Sequence, residues 1–545
     1  MLVTITGLRT SNRGSAMSAK GSVLSRFAQL ALAFARPAIM LLGCSAGAFA
    51  QTAGPPERLS DVELDAMFTQ AGRSQATLRL LLQKFPKGAD LHNHGGTYAE
   101  DYLRWAAGQN GCLQIKAKKL SPQPCVGPDS VPLRGLEERD VKLYNNAIDA
   151  MSARGFRQGV GDPTVSGHDR YFGGFQRTLG SVEDIGFILA TSREQAVESH
   201  SHYAELMVGP DINGHTREFA TEPWNEADMA GRLARLAPVI RAAVARGRSD
   251  LDLIQKTADD INGCHSRYPK DACEITVRHI LTVKREAQPE QIFGRIALGF
   301  ALAEADPRIV GINILNPEDG PIALRDYRLH MRLFAFFKQR FPNVTLTMHA
   351  GELTLGLVPP RDLRFHIREA VEIAGAKRIG HGVDIAYEDG AAELLKRMAH
   401  EQIAVEINLT SNDVILGVKG SEQPLRMYLA AGVPVVLSTD SSGTLRHDLT
   451  YEYMRAFFEH GLKYTELRKI SRNSLTYSFL EGASLWDGAS NKMVAYCVNG
   501  IRNPSRSCSL FLKNSPKARE QLILEQRIEQ FESELADMLK ISIAQ

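Results

Sequence analysis

Eight short apolar runs, each followed by a polar or glycine-containing turn, constrain this chain more than any other feature. They lie at 88–94 (GADLHNH), 203–208 (YAELMV), 275–284 (ITVRHILTVK), 309–315 (IVGINIL), 344–350 (VTLTMHA), 377–381 (KRIGH), 403–409 (IAVEINL) and 434–439 (PVVLST). Runs of this length suit strands buried on both faces. From the second run onward, stretches with helical periodicity separate them, such as 321–340, 361–375 and 390–401. Strands alternating with helices imply a parallel α/β architecture. The count predicts a closed (β/α)8 TIM-type barrel, with a doubly wound open sheet as the alternative. The segment between the first two runs is far longer than a simple crossover and is expected to be mostly helical. The sequence holds no G-x-G-x-x-G after a strand and no G-K-[ST], so dinucleotide and P-loop chemistry find no support.

The remaining segments flank this core. Residues 1–50 carry Lys20, Arg26 and Arg36, then the uncharged run PAIMLLGCSAGAFA, which ends in Ala48-Phe49-Ala50. That pattern reads as a signal peptide, translated from Met1 or Met17. The run is short for stable membrane insertion. Lipidation at Cys44 is a second reading, disfavoured by Leu42 before Gly43. Residues 51–86 form an N-terminal helical segment, with one helix expected over 59–84 and Ser60-Asp61 as its cap. Residues 87–495 hold the barrel and its long helical insertion. Residues 496–545 hold a cysteine loop and an amphipathic C-terminal helix over 516–540.

Of seven cysteines, six remain once the leader is removed, in three close pairs: Cys112/Cys125, Cys264/Cys273 and Cys497/Cys508. Local pairs in an exported chain predict three loop-stapling disulfides with adjacent pairing, one of several connectivities open to six cysteines. Periplasmic or extracellular location is the corresponding expectation. The formal net charge of +2 gives no basic field for nucleic acid.

The chemistry gathers where the runs end. The first ends in His92 and His94, the fifth leads to His349 and Glu352, the sixth ends in His381 and the eighth leads to Asp440. In a parallel barrel the strand ends share one rim, where active sites are built. Alternation along a strand sends His92 and His94 the same way. Three imidazoles and a carboxylate suit one Zn2+ with room for water, and zinc brings that water's pKa toward neutrality. Glu352, just beyond its strand, can relay protons without ligating. HEQIA at 400–404 lacks the second histidine of a zincin helix, and the H-x-E…P-C-x-x-C deaminase pattern is absent.

The ordered set DLHNH, YAELMV, MHAGE, RIGHGVD, INLTSN and VVLSTD resembles the adenosine deaminase family of metal-dependent amidohydrolases, most of all its secreted, growth-factor-related branch. The resemblance runs from about residue 86 to 455. It implies a single zinc held by His92, His94, His349 and Asp440. It implies Glu352 as the proton donor to a purine ring nitrogen, and His381 and Asp440 as the groups that orient the attacking oxygen, with ammonia leaving. Departures fall in the substrate shell. Ser441 stands where the family usually has an acid, Asn316-Pro317 where a glycine is common, and Gly96 where an aspartate often holds the sugar. Glu318 matches an acidic position near the substrate. The expected substrate is adenosine or a related 6-aminopurine nucleoside, and the oligomeric state stays open. Two alternatives remain: the same metal core acting on a different amine, amide or ester, and a secreted binding protein that has lost turnover. Intact proton-transfer groups speak against the second.

Overall fold

The structure is a computed structural model that describes residues 59–544, apart from 157–158, 160–163, 175–176, 179, 488–491 and 499–500, with the side chains of 537–544 also left aside. The leader, Met17 and Cys44 lie outside the described residues. The chain divides into two units. One, Ser60–Phe531, holds everything discussed below. The described part of the other is Leu59 and the end of the C-terminal helix from Glu532 onward.

The eight expected strands form one parallel sheet. They are β1 (Gly88–Asn93), β2 (Ser201–Leu206), β3 (Thr276–Lys284), β4 (Ile309–Leu315), β5 (Thr345–Ala350), β6 (Arg378–His381), β7 (Ala404–Ile407) and β8 (Val435–Leu437). Each pairs with the next in chain order. Closure follows from a parallel bridge between Asn93 and Asp440. The amide of Asp440 donates to His92 O at 2.8 Å, and that of His94 donates to Asp440 O at 2.6 Å. The fold is the barrel and not the open sheet. Most strand residues are fully buried, which is why they read as apolar runs. Helices such as Pro289–Ala305 and Pro321–Lys338 cover the outside, each starting with proline in its first turn, where no intrahelical donor is lost.

Several expectations shift. The helix expected over 59–84 is two helices, Asp61–Ala71 and Gln75–Lys84, because the chain turns at Gly72 and restarts on the Ser74 cap. Ser60 caps the first through a capping box with Glu63. The stretch 361–375 is a 3₁₀ turn, a short helix His366–Glu369 and a π-turn Ala370–Ala374. The expected strand 403–409 stops at Ile407, since Leu409 already opens the helix Leu409–Leu416. The insertion between β1 and β2 is mostly helical. It also holds an unforeseen antiparallel sheet of three short strands, Cys112–Gln114, Lys119–Ser121 and Ser130–Pro132, over its own apolar cluster of Leu113, Leu120, Leu133 and Ile148. Among the described residues no helix is long and apolar enough to cross a membrane.

All three cysteine pairs are bonded as adjacent pairs: Cys112–Cys125, Cys264–Cys273 and Cys497–Cys508. Peptide mapping under non-reducing conditions will therefore return three intraloop bridges and no thiol at these six positions. Free thiols there would contradict the pairing.

The barrel interior holds a charged network where an apolar core would be expected. Arg378 of β6 donates from Nε to Glu406 of β7 and from a terminal nitrogen to Glu205 of β2, both at 2.5 Å, and all three side chains are buried. Its guanidinium also stacks on Phe479. Burial alone would raise the Glu406 pKa, but Arg378 and His92 hold it at about 2. Arg378→Met strands two buried carboxylates. It should destabilise the fold by about 3–5 kcal/mol, read as a lower midpoint in denaturant. An unchanged midpoint would mean the network contributes nothing to stability.

Candidate functional site

His92 and Glu406 face each other inside the barrel, with His92 Nδ1 2.7 Å from Glu406 Oε2. A carboxylate there accepts a hydrogen bond from Nδ1–H, which keeps the proton on Nδ1 and leaves Nε2 with its lone pair free for a metal. His349, at the end of β5, repeats the device with Asn313 of β4. Its Nδ1 lies 3.1 Å from Asn313 Oδ1, which also accepts the His349 amide at 2.9 Å. The remaining nitrogens converge. His94 Nε2 is 3.3 Å from His92 Nε2 and 3.2 Å from His349 Nε2. Burial lowers the His94 pKa to about 4 and pushes that of His349 well below the usual range, with neighbouring imidazoles adding to the latter. Both are therefore neutral at neutral pH, the state a metal ligand needs.

Asp440 closes the set. Its Oδ1 lies 3.7 Å from His94 Nε2, and its Oδ2 lies 3.6 Å from His381 Nε2. Burial would raise its pKa, but His94, His92, His381 and the Ser411 hydroxyl outweigh that and hold it below the ordinary carboxylate range. Its backbone has φ of 59°, left-handed for a residue other than glycine, and is held there by the bonds to β1 that close the barrel.

Glu352 stands two residues past the end of β5, with Oε1 3.7 Å from His381 Nε2. Burial, then the negative Asp440 and Glu318, push its pKa well above the usual range, which favours the protonated carboxyl. Its position is fixed by Glu318, which accepts the amides of Gly351 and Glu352 at 3.2 and 2.9 Å and lies 2.5 Å from His366 Nδ1. His381 is oriented by Asn412, whose Oδ1 lies 2.8 Å from Nδ1, so its Nε2 faces Asp440 and Glu352.

The structure thus brings His92, His94, His349, His381, Glu352 and Asp440 together. Three overlapping triads among them have ligand atoms within 4.8 Å of one another: His92/His94/His349, His92/His381/Asp440 and His349/Glu352/His381. Neutral imidazoles with bare Nε2 atoms beside an ionised carboxylate are the donor chemistry of a tetrahedral N/O metal site.

The four residues expected at the substrate are less uniform. Glu318 is buried and occupied with the Gly351–Glu352 turn and His366. Gly96 lies against Gln195, whose amide donates to Gly96 O, and a Cβ at 96 would fall 1.8 Å from Gln195 Oε1. The space an aspartate would take is filled by the insertion. Ser441 is buried, its hydroxyl 3.2 Å from Asp440 Oδ1 and 2.9 Å from the Tyr171 hydroxyl. Asn316 is half-buried with φ of 88°, in a turn where glycine is the usual solution. Beside His94 a cavity of about 320 Å³ opens between the insertion and the ends of β2 and β3, lined by Ile185, Ile188, Met207, Val208 and Leu281, with Asn213 and Lys284 among its polar residues. Its size and mainly apolar lining suit a small molecule.

Sequence reading gave no role to the groups behind the cluster: Glu406, Asn313, Ser411, Asn412 and Tyr171. Ser411 and Asn412 lie in the INLTSN motif, and Glu406 left a trace as a charge inside the otherwise apolar strand Ala404–Ile407.

A closed parallel barrel with a histidine–carboxylate centre at the strand ends is the architecture of a metal-binding barrel with its active site on one rim. The adenosine deaminase family model matches residues 168–485, a span that includes β2 to β8. The chain is 38% identical over 306 residues to an adenosine deaminase of Klebsiella pneumoniae, covering 56% of this chain and 75% of that protein. It is 28% identical over 305 residues to an adenine deaminase of Rhizobium rhizogenes, covering 55% and 77%. The solved adenine deaminase of Arthrobacter aurescens superposes with a TM-score of 0.44 at 18% identity, covering 73% of this chain and 94% of that one. The chain belongs to the adenosine deaminase family and is a hydrolytic aminohydrolase.

Proposed function

We propose that the chain is an exported zinc enzyme that hydrolyses the 6-amino group of adenosine or a related purine nucleoside, releasing ammonia and the 6-oxo product. The observation that carries the reading is the clustering of His92, His94 and His349, with Asp440 beside His92, His94 and His381, and a buried Glu352 and an oriented His381 next to them. His92, His94, His349 and Asp440 would hold the ion. Zinc bound there supplies a water acidic enough to act at neutral pH.

This chain's own groups do the rest. The Glu352 carboxyl gives its proton to a ring nitrogen of the purine, making the amino-bearing carbon a better electrophile. His381 Nε2 and Asp440 Oδ2, 3.6 Å apart, hold the attacking oxygen on one face of the ring. The apolar wall of Ile188, Met207 and Leu281 excludes bulk water from the base. Recognition beyond the base falls to a shell without an acid at position 441 or 96. That keeps the choice between nucleoside and free base a matter for experiment, and the relatives above include both kinds of deaminase.

The secreted, growth-factor-related branch is part of the proposal. It is supported by the disulfide in the β1–β2 insertion and by the leader pattern of residues 1–50. The test is a panel of purine nucleosides, free bases and other amines, amides and esters incubated with zinc-loaded protein. Ammonia from adenosine or a close analogue is the expected result. Ammonia or hydrolysis only from compounds without a 6-aminopurine, or tight nucleoside binding without turnover, would overturn it.

A further inference from the structure

Tyr171 lies on the short helix Gly167–Gly174 of the insertion, 269 residues from Asp440, yet its hydroxyl donates to Asp440 Oδ1 at 2.6 Å. The side chain is almost completely buried. Ser441 Oγ is 2.9 Å from the same phenol oxygen. Tyr171 spends its one proton on Asp440, and the Ser441 hydroxyl can donate to the phenol oxygen or to Asp440 Oδ1, 3.2 Å away. Serial hydroxyls of this kind polarise one another. The other carboxylate oxygen, Oδ2, accepts the Ser411 hydroxyl at 2.6 Å. Each Asp440 oxygen therefore has a short hydroxyl donor, Tyr171 on Oδ1 and Ser411 on Oδ2, and the plane of the carboxylate is fixed from two sides. Lone pairs remain on both oxygens.

The position of the helix is itself specified. A Cβ on Gly167 would fall 1.8 Å from Val414 O, so only glycine permits this approach to the helix Leu409–Leu416, which carries Ser411 and Asn412. One residue along, His168 Nε2 lies 3.3 Å from Asp319 Oδ1 in the turn after β4. The insertion is thus tied to two sectors of the barrel rim, with Tyr171 held at the metal-binding carboxylate between them.

We propose that Tyr171 is a positioning residue for the reaction, with its hydroxyl setting the orientation of the Asp440 carboxylate. The proposal rests on the metal-site reading of Asp440 given above. Without the hydroxyl, Oδ1 keeps only the longer contact to Ser441 and the carboxylate can turn about its own bond. Both the fit to the ion and the hydrogen bond to the attacking oxygen then loosen.

The test compares Tyr171→Phe with the parent chain, both zinc-loaded, by three readouts. Phenylalanine keeps the ring and its packing against Phe172, so the thermal midpoint, measured on the metal-free forms of both proteins, should change little. Competition with a chelator should strip zinc from the variant about 10- to 100-fold more readily. The kcat for the best substrate of the panel should fall about 10- to 100-fold while KM stays within about threefold, as for an interaction that matters after binding. Unchanged zinc retention and kcat would overturn the proposal. So would a fall in the metal-free midpoint and in kcat together with a rise in KM, since that is the signature of packing alone. Zinc retention is read without any substrate, so a chain that deaminates nothing still tests Tyr171, and a failed substrate panel remains a separate result.

Discussion

Glu352→Gln will leave the fold and the bound metal in place while deamination falls by about 10²–10⁴-fold, the usual contribution of a positioned proton donor. Glutamine has the same shape and can sit on the same turn, because Glu318 anchors that turn through the backbone amides of residues 351 and 352. The change also removes a buried ionisable group whose charged form is strongly disfavoured, so no loss of stability is expected. The discriminating readout is metal content. Glu352 also forms a ligand-capable triad with His349 and His381. Full zinc occupancy with lost turnover assigns it to proton transfer. Loss of zinc would make it a ligand, and near-parental turnover would remove it from the mechanism.

His349→Ala will lose the ion and, with it, activity, by on the order of 10³-fold or more, down to that of the metal-free chain. The substitution deletes one of three imidazoles whose Nε2 atoms lie within 3.3 Å of a neighbour, and it strips Asn313 of the ring it orients. Metal analysis after gel filtration measures the first effect and ammonia release the second. A variant that kept one zinc per chain would show that His349 is not needed to hold it.

The order of strands was legible because most strand residues are buried on both faces, and burial of that kind writes a continuous apolar run. Strand ends were less so. INL at 407–409 is apolar throughout, and nothing in its composition marks where β7 gives way to the helix beginning at Leu409. The insertion's three-residue strands are too short for any periodicity to register. The helix expected over 59–84 held its own warning in Gly72 and Ser74, a stop followed by a cap.

The cluster itself was readable for a different reason. Histidines are few, and those at the ends of parallel strands must meet at one rim. What supports the cluster was not readable, because it depends on contacts between distant parts of the chain. Glu406 reaches His92 across 314 residues, and Tyr171 reaches Asp440 across 269. The substrate shell lies between these cases. Gly96 and Ser441 stand out as departures in type, but only the structure reveals that Gln195 and Tyr171 occupy the space beside them.

The most direct test of the account is anomalous diffraction at the zinc edge from crystals of the zinc-loaded chain. One peak is expected, within bonding distance (about 2.0–2.2 Å) of the Nε2 atoms of His92, His94 and His349 and of a carboxylate oxygen of Asp440. A peak elsewhere on the protein, with those four side chains too far apart to share it, would contradict the account.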